Sequence, residues 1–115
     1  MSSDSTPPPG RLNVRVENGA PESRVVLEGE LDLASVGLVE ERLAEVEARS
    51  PERIIIDLEQ LTFIDSTGLR TLIQADARAR EAGRELVLRP GGESIQRVFA
   101  LTGTNEVLRF EPASA

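Results

Sequence analysis

A serine set between an aspartate and a threonine is the position of this chain best suited to chemistry. Ser66 follows Asp65 and precedes Thr67 and Gly68, at the point where an apolar strand pattern gives way to a helical one. We interpret Asp65 and Ser66 as the capping pair of that helix. A hydroxyl held there lies beside unpaired backbone amides and the positive end of the helix dipole, an environment that accommodates a phosphate. The residues alone leave two roles open for Ser66, a structural cap or the acceptor of a phosphate.

The elements on either side of Ser66 follow from the apolar pattern. A β-branched, nearly continuous apolar run at residues 54–58 is typical of a central strand covered on both faces, and a short connection joins it to Asp65. Leu69, Leu72 and Ile73 then recur at helical spacing. Good helix formers continue to Gly83, which we expect to end the helix. Ser66 is therefore expected at a strand-to-helix junction.

The residues before the central strand predict a hairpin and a helix. Residues 11–17 alternate between polar and apolar side chains, which indicates a half-exposed strand near a sheet edge, and Asn18-Gly19 ends it. Residues 25–31 mark one face of a second strand, antiparallel to the first because so few residues join them. Asp32 lies at its exit. A first helix follows, with an apolar stripe formed by Val36, Val39, Leu43 and Val46.

The C-terminal part of the chain predicts a strand at residues 85–89, a third helix at residues 93–101 capped by Gly103, and a last strand at residues 107–110. Together these elements indicate an α/β domain whose mixed sheet has about five strands, with helices as crossovers between parallel strands. We expect this domain to cover residues 12–110. Residues 1–11, rich in Ser and Pro, are predicted to be a disordered tail, and residues 111–115 a C-terminal tail.

Composition excludes several classes of function. A chain of 115 residues is expected to form one domain, and its net charge of −7 argues against nucleic acid or an anionic membrane as a direct ligand. A basic protein surface is the better candidate partner. With no Cys and no His, the chain lacks thiolates, the usual zinc ligands and the commonest general base, so we predict no metal and no cofactor. Because no apolar run is long enough to span a membrane and no secretion signal is present, we expect a cytoplasmic protein.

An enzyme that uses Ser66 as a nucleophile is one alternative, with Asp32 or Asp65 as the base. The absence of histidine argues against it. The residues around Ser66 also lack the Gly-x-Ser-x-Gly pattern of a nucleophile elbow. We therefore predict that the protein is not an enzyme.

Three segments resemble a known family. The order and separation of these segments match that family. They are Asp65-Ser66-Thr67-Gly68-Leu69 after a hydrophobic strand, Gly29-Glu30-Leu31-Asp32 at the end of an earlier strand, and Val98-Phe99-Ala100-Leu101-Thr102-Gly103 near the C-terminus. In these features the chain resembles a bacterial anti-sigma factor antagonist of the STAS family, over residues 12 to 110. One position departs from the family pattern: Arg70 stands where members often carry a second glycine.

The resemblance implies the STAS fold and a partner-switching function. The unphosphorylated protein would bind an anti-sigma factor that is itself a serine kinase, and so free a sigma factor. The kinase would phosphorylate Ser66 to end the binding, and a phosphatase would restore the hydroxyl. An alternative within the family is a scaffold or subunit of a signalling or transport assembly, in which Ser66 is only a helix cap.

The resemblance also assigns the neighbours of Ser66 to the phosphosite motif and partner surface, where each has a structural alternative. Asp32 belongs to the kinase-recognition surface or only caps the first helix. Asp65 caps the helix amides or coordinates phosphate and faces the kinase. Thr67 is a second phosphosite or shapes the first helical turn, and Gly68 is a close-packing position beside Ser66.

Overall fold

The apolar runs of the sequence form the strands of one mixed sheet. The computed structural model describes residues 11–112. Its elements, in chain order, are β1 (Leu12–Glu17), β2 (Glu22–Leu31), α1 (Val36–Ala48), β3 (Arg53–Ile64), α2 (Ser66–Glu81), β4 (Glu85–Arg89) and α3 (Glu93–Thr102). A single 3-10 turn, Thr104–Glu106, follows α3. The predicted α/β class is confirmed.

Connection length decides the direction of each strand pair. β1 and β2 are antiparallel because only a short turn joins them, whereas β2 with β3 and β3 with β4 are parallel because a helix lies between the strands of each pair. The strand order β1-β2-β3-β4 leaves β1 at an edge, as its alternating pattern predicts. Two parallel strands therefore end side by side, and the residues that follow them meet at one edge of the sheet.

The core lies between the sheet and its helices. Every residue from Ile54 to Leu58 is buried, which confirms that β3 is a central strand. Alternate residues of β3 point into the main cluster, where Ile54, Ile56 and Leu58 pack with buried residues of all three helices. On the other side of the pleat, Asp57 pairs with Arg24 at 3.2 Å. This packing holds the end of β3 in place, and with it the start of α2.

The strand before Ser66 is longer than predicted. Residues 59–64 were expected to be a connection, but β3 continues through them to Ile64. Polar side chains interrupt the apolar pattern of this extension, so the sequence does not indicate a strand there. They are tolerated because the extension pairs with β2 alone and is half exposed. Two register shifts in that pairing, between Val26 and Glu28 and between Gly29 and Glu30, further break the alternation.

The predicted last strand at residues 107–110 is wrong, and within residues 11–112 the sheet has four strands rather than about five. The chain turns after α3, where the amide of Leu108 donates to the carbonyl of Thr104. Only an isolated bridge to Leu88 then forms, in which the Leu88 amide donates to Arg109 and its carbonyl accepts from Glu111. The pairing thus reaches Glu111, one residue into the predicted C-terminal tail. Residues 1–10 and 113–115 of the predicted tails lie outside the described residues.

The other elements agree with the sequence. α1 buries Val39, Leu43 and Val46, and α3 buries Ile95 and Phe99. Gly103 ends α3 with a φ of 77°, in the left-handed region that glycine tolerates best. Within residues 11–112, every helix is too short or too polar to cross a membrane.

Candidate functional site

The candidate site lies at the edge of the sheet where β2 and β3 end. Leu31 and Ile64 are paired at this edge, and the amide of Asp65 donates to the carbonyl of Leu31 over 3.2 Å. Asp32 leaves β2 and Asp65 leaves β3 at the same level. The fold therefore brings together two aspartates that are far apart in the sequence.

Asp65 uses both carboxylate oxygens to fix the backbone around it. Its backbone is extended, and Oδ1 accepts from the amide of Gly68 at 2.9 Å, which makes Asp65 the N-cap of α2. Oδ2 accepts from the amide of Leu33 at 3.3 Å, in the loop that follows β2. One side chain thus joins the start of α2 to the neighbouring loop.

Ser66 is the first helical residue and is exposed. The predicted capping pair is wrong in one respect, because Asp65 alone caps the helix. Within residues 11–112, the Ser66 hydroxyl forms no hydrogen bond. It stands at the N-terminus of a 16-residue helix. The structural alternative, in which Ser66 is only a cap, has no support in this geometry.

The two residues after Ser66 have different surroundings. Thr67 is half-buried, and its carbonyl accepts from the Thr71 hydroxyl at 3.1 Å within the first turns of α2. Gly68 is buried against the end of β2: a Cβ at this position would lie 2.8 Å from Leu31 Cγ and 2.9 Å from Leu31 O. Gly68 therefore lies beneath the surface and allows α2 to approach β2 closely.

Asp32 holds the loop that leads into α1. Its Oδ1 accepts from the amides of Ala34 and Ser35, at 3.1 and 3.2 Å, and from the Ser35 hydroxyl at 3.1 Å. In return, the Ser35 hydroxyl accepts from the Asp32 amide at 2.9 Å. The N-cap of α1 is Ser35 rather than Asp32, so Asp32 shapes the turn before the helix. The carboxylate is half-buried and fixed in direction next to the segment that Asp65 binds.

Sequence reasoning missed two apolar side chains at this edge. Leu33 is 74% exposed in the loop after β2, and Phe63 is 47% exposed near the end of β3. Phe63 lies opposite Glu30 in the pairing of the two strands. The sequence could have indicated Leu33, because it lies between Asp32 and Ala34 in a predicted loop. It could have indicated Phe63 only if the extension of β3 had been known, since that extension makes the position a half-exposed one. Exposed apolar side chains that cluster at one edge of a domain are typical of a protein contact surface.

A comparison with protein families identifies the family to which this domain belongs. The model of the STAS domain matches residues 11–115, nearly the whole chain. The chain belongs to the STAS domain family. This confirms the resemblance seen in the Asp65-Ser66-Thr67-Gly68-Leu69 segment and in the two other segments.

Three relatives of this STAS domain are described as anti-sigma or anti-sigma-B factor antagonists. It is 28% identical over 87 residues to an anti-sigma-B factor antagonist of Listeria monocytogenes, covering 76% of each chain. It is 26% identical over 103 residues to the anti-sigma-B factor antagonist of Bacillus subtilis, covering 90% of this chain and 94% of the relative. The crystal structure of an anti-sigma factor antagonist from Mycobacterium paratuberculosis superimposes with a TM-score of 0.76 at 27% identity, over 89% of this chain and 86% of that one. The relatives are regulatory proteins of matching length.

The acidic side chains of this STAS domain form no metal site within the described residues. Within residues 11–112, no group of three or more acidic side chains converges on a point where a cation could be held. Asp32 and Asp65 direct the oxygens described above at backbone amides instead.

Proposed function

We propose that this STAS domain is an anti-sigma factor antagonist that acts by partner switching in the bacterial cytoplasm. The unphosphorylated form binds an anti-sigma factor with serine kinase activity and so releases a sigma factor. Phosphorylation of Ser66 by that kinase ends the binding, and a phosphatase reverses the modification. The protein itself is a substrate and a ligand rather than an enzyme. The descriptions of the relatives from Listeria monocytogenes and Bacillus subtilis support the general role.

The observation that carries the proposal is the hydroxyl of Ser66 at the first residue of α2, which is exposed and forms no hydrogen bond with the described residues. A kinase must reach the hydroxyl from solvent, and no local hydrogen bond has to be broken to do so. A phosphate placed there gains from the positive end of the helix dipole. Because Asp65 already caps the helix, the modification leaves the cap in place.

The surface around Ser66 suits an apolar contact with a basic rim. Leu33 and Phe63 supply exposed apolar area, and Asp32 and Asp65 supply negative charge. A partner with a shallow apolar pocket edged by Lys or Arg would complement this surface. A phosphate added at Ser66 would be buried in that contact. In the apolar part of the contact that phosphate would lose its hydration, which costs several kcal/mol, on the order of a thousandfold in affinity.

The proposal is tested with the kinase-type anti-sigma factors of the same bacterium. Each is incubated with this protein and ATP, and the intact mass and the binding affinity are measured. We expect the gain of one phosphate and a loss of binding, both abolished by Ser66→Ala. Ser94→Ala is the matched control, because Ser94 is also an exposed serine in the first turn of a helix. We expect Ser94→Ala to behave like the parent protein.

Three results would contradict the proposal. Full phosphorylation of Ser66→Ala would move the acceptor elsewhere, with Thr67 as the first residue to test. Failure of every such anti-sigma factor to bind would favour a scaffold role for the STAS domain. Phosphate uptake with unchanged affinity would separate the modification from the switch.

A further inference from the structure

Arg70 occupies the position on α2 from which a side chain reaches Ser66. Residues four apart on a helix are neighbours on its surface, with Cβ atoms about 5–6 Å apart. Side chains on a helix also lean toward its N-terminus, so a long side chain covers the turn before its own Cα. Both Ser66 and Arg70 are exposed, whereas Gly68, Leu69 and Leu72 are buried against the sheet. The guanidinium of Arg70 can therefore extend over the Ser66 hydroxyl through solvent.

Arg70 has no carboxylate partner within residues 11–112, unlike the other arginines of α2. Arg78 pairs with Glu47 at 3.1 Å, and Arg80 pairs with Asp76 at 2.8 Å. Arg70 forms neither an ion pair nor a side-chain hydrogen bond in the same part of the chain. Arg70 is therefore a cation without a partner among the described residues, one turn from the proposed phosphate acceptor.

We infer that Arg70 is the intramolecular counter-ion of a phosphate on Ser66, binding it through the planar guanidinium. The inference rests on the proposed function, since it needs phosphate at Ser66. A phosphoserine carries about −1.5 to −2 charges at neutral pH. The carboxylates of Asp65, next in the chain, and Asp32, in the neighbouring loop, oppose that charge. Arginine suits the site because its fork of donors matches two phosphate oxygens at once.

The pairing changes what a partner meets at this surface. In the unphosphorylated protein, Arg70 is exposed to solvent and to a partner. In the phosphorylated protein, the guanidinium folds back over Ser66, so the partner gains an anion and loses access to a cation. The pair also joins two residues of the first turns of α2 and stabilises the start of the helix. Arg70 is thus a positioning residue for the phosphate, and it replaces the second glycine that family members often carry here.

The test installs phosphoserine at position 66 of the full chain during translation, so that no kinase is needed. A ³¹P NMR titration then measures the second pKa of the phosphate, which is about 6 for an unperturbed phosphoserine. We expect Arg70→Ala to raise this pKa by roughly 0.15–0.4 units, because the dianion loses its proposed counter-ion. Arg70→Lys should restore part of the difference. Arg78→Ala removes the same charge about 18 Å along the helix from Ser66, beyond the Debye length of about 10 Å at 0.1 M salt, and should leave the pKa unchanged.

Equal phosphate pKa values in the parent and Arg70→Ala would overturn the inference. So would equal shifts in Arg70→Ala and Arg78→Ala, which would reflect net charge alone. Melting temperatures measured on the same samples exclude unfolding as the cause, since Arg70 is exposed and its loss removes no core contact. The phosphate pKa does not depend on the kinase experiment. If no kinase phosphorylated Ser66, the proposed function would be lost, but the pKa comparison would still test Arg70.

Discussion

Gly68→Ala should destabilise the protein although the same change elsewhere in a helix stabilises it. In an ordinary helical position, alanine gains about 0.4–1 kcal/mol over glycine because the unfolded chain loses freedom. At Gly68 the added Cβ would lie 2.8 Å from Leu31 Cγ and 2.9 Å from Leu31 O. Carbon atoms in favourable contact are about 3.5–4.0 Å apart, so the methyl group overlaps both atoms. The carbonyl belongs to the backbone of a paired strand and cannot rotate away.

Relief of the overlap requires α2 to move away from β2. Overpacking of this kind costs about 1–3 kcal/mol, which exceeds the gain from alanine. We expect Gly68→Ala to lower the free energy of unfolding by about 1–2 kcal/mol and the melting temperature by about 4–8 °C. Because α2 carries Ser66 at its first residue, the shift should also weaken binding to the anti-sigma factor.

Gly37→Ala is the matched control. Gly37 lies in the first turn of α1 and is exposed, and a Cβ added there would meet no atom of another element within 4 Å. The change should raise the free energy of unfolding by about 0.5 kcal/mol. Urea denaturation of both variants and the parent, read by circular dichroism, gives the comparison. If Gly68→Ala stabilised the protein as much as Gly37→Ala, the close approach of α2 to β2 would not be a constraint.

Three further predictions concern the site. Ser66→Ala should melt within about 2 °C of the parent, because the hydroxyl has no bond to lose within residues 11–112; a larger fall in calorimetry would reveal a structural role. Asp65→Ala should lower the free energy of unfolding by about 1–2 kcal/mol in urea denaturation, because the cap and the contact to Leu33 are lost. Asp65→Asn should recover most of the cap, and equal stability of the parent and both variants would contradict that account. Leu33→Ser should keep the melting temperature, Phe63→Ser should lower it because half of the ring is covered, and both should weaken binding at least about tenfold in titration calorimetry, or the contact surface lies elsewhere.

The elements with strong periodicity were predictable from the sequence because one physical signal dominates each of them. The apolar stripe of α1 and the glycine after α3 point to one solution each, and the bounds of β4 follow from the change to Pro90-Gly91-Gly92. The parallel arrangement then follows from the helices between the strands. The position of Ser66 at a strand-to-helix junction was predicted for the same reason.

The errors arise where pairing or local competition decides the structure. The extension of β3 has an irregular pattern because it pairs on one side only and contains register shifts. The segment after α3 looked like a strand, but the turn at Thr104–Glu106 leaves it a single bridge. At the start of α2, either Asp65 or Ser66 could have capped the helix. The additional bond from Asp65 to the amide of Leu33 favours the aspartate, and that contact depends on a loop 32 residues away in sequence.

The geometry of this edge bears on how a phosphate could be sensed. Each fixed group around Ser66 has its own restraint: Asp65 is bonded to two amides, Asp32 to the turn before α1, and Gly68 is packed against Leu31. A closely packed junction of this kind resists small displacements. The Ser66 hydroxyl and the Arg70 side chain form no hydrogen bond or ion pair within residues 11–112, and both residues are exposed. A phosphate can therefore be accommodated by movement of Arg70 alone, so the simplest switch changes the charge presented to the partner while the backbone of the domain stays as it is.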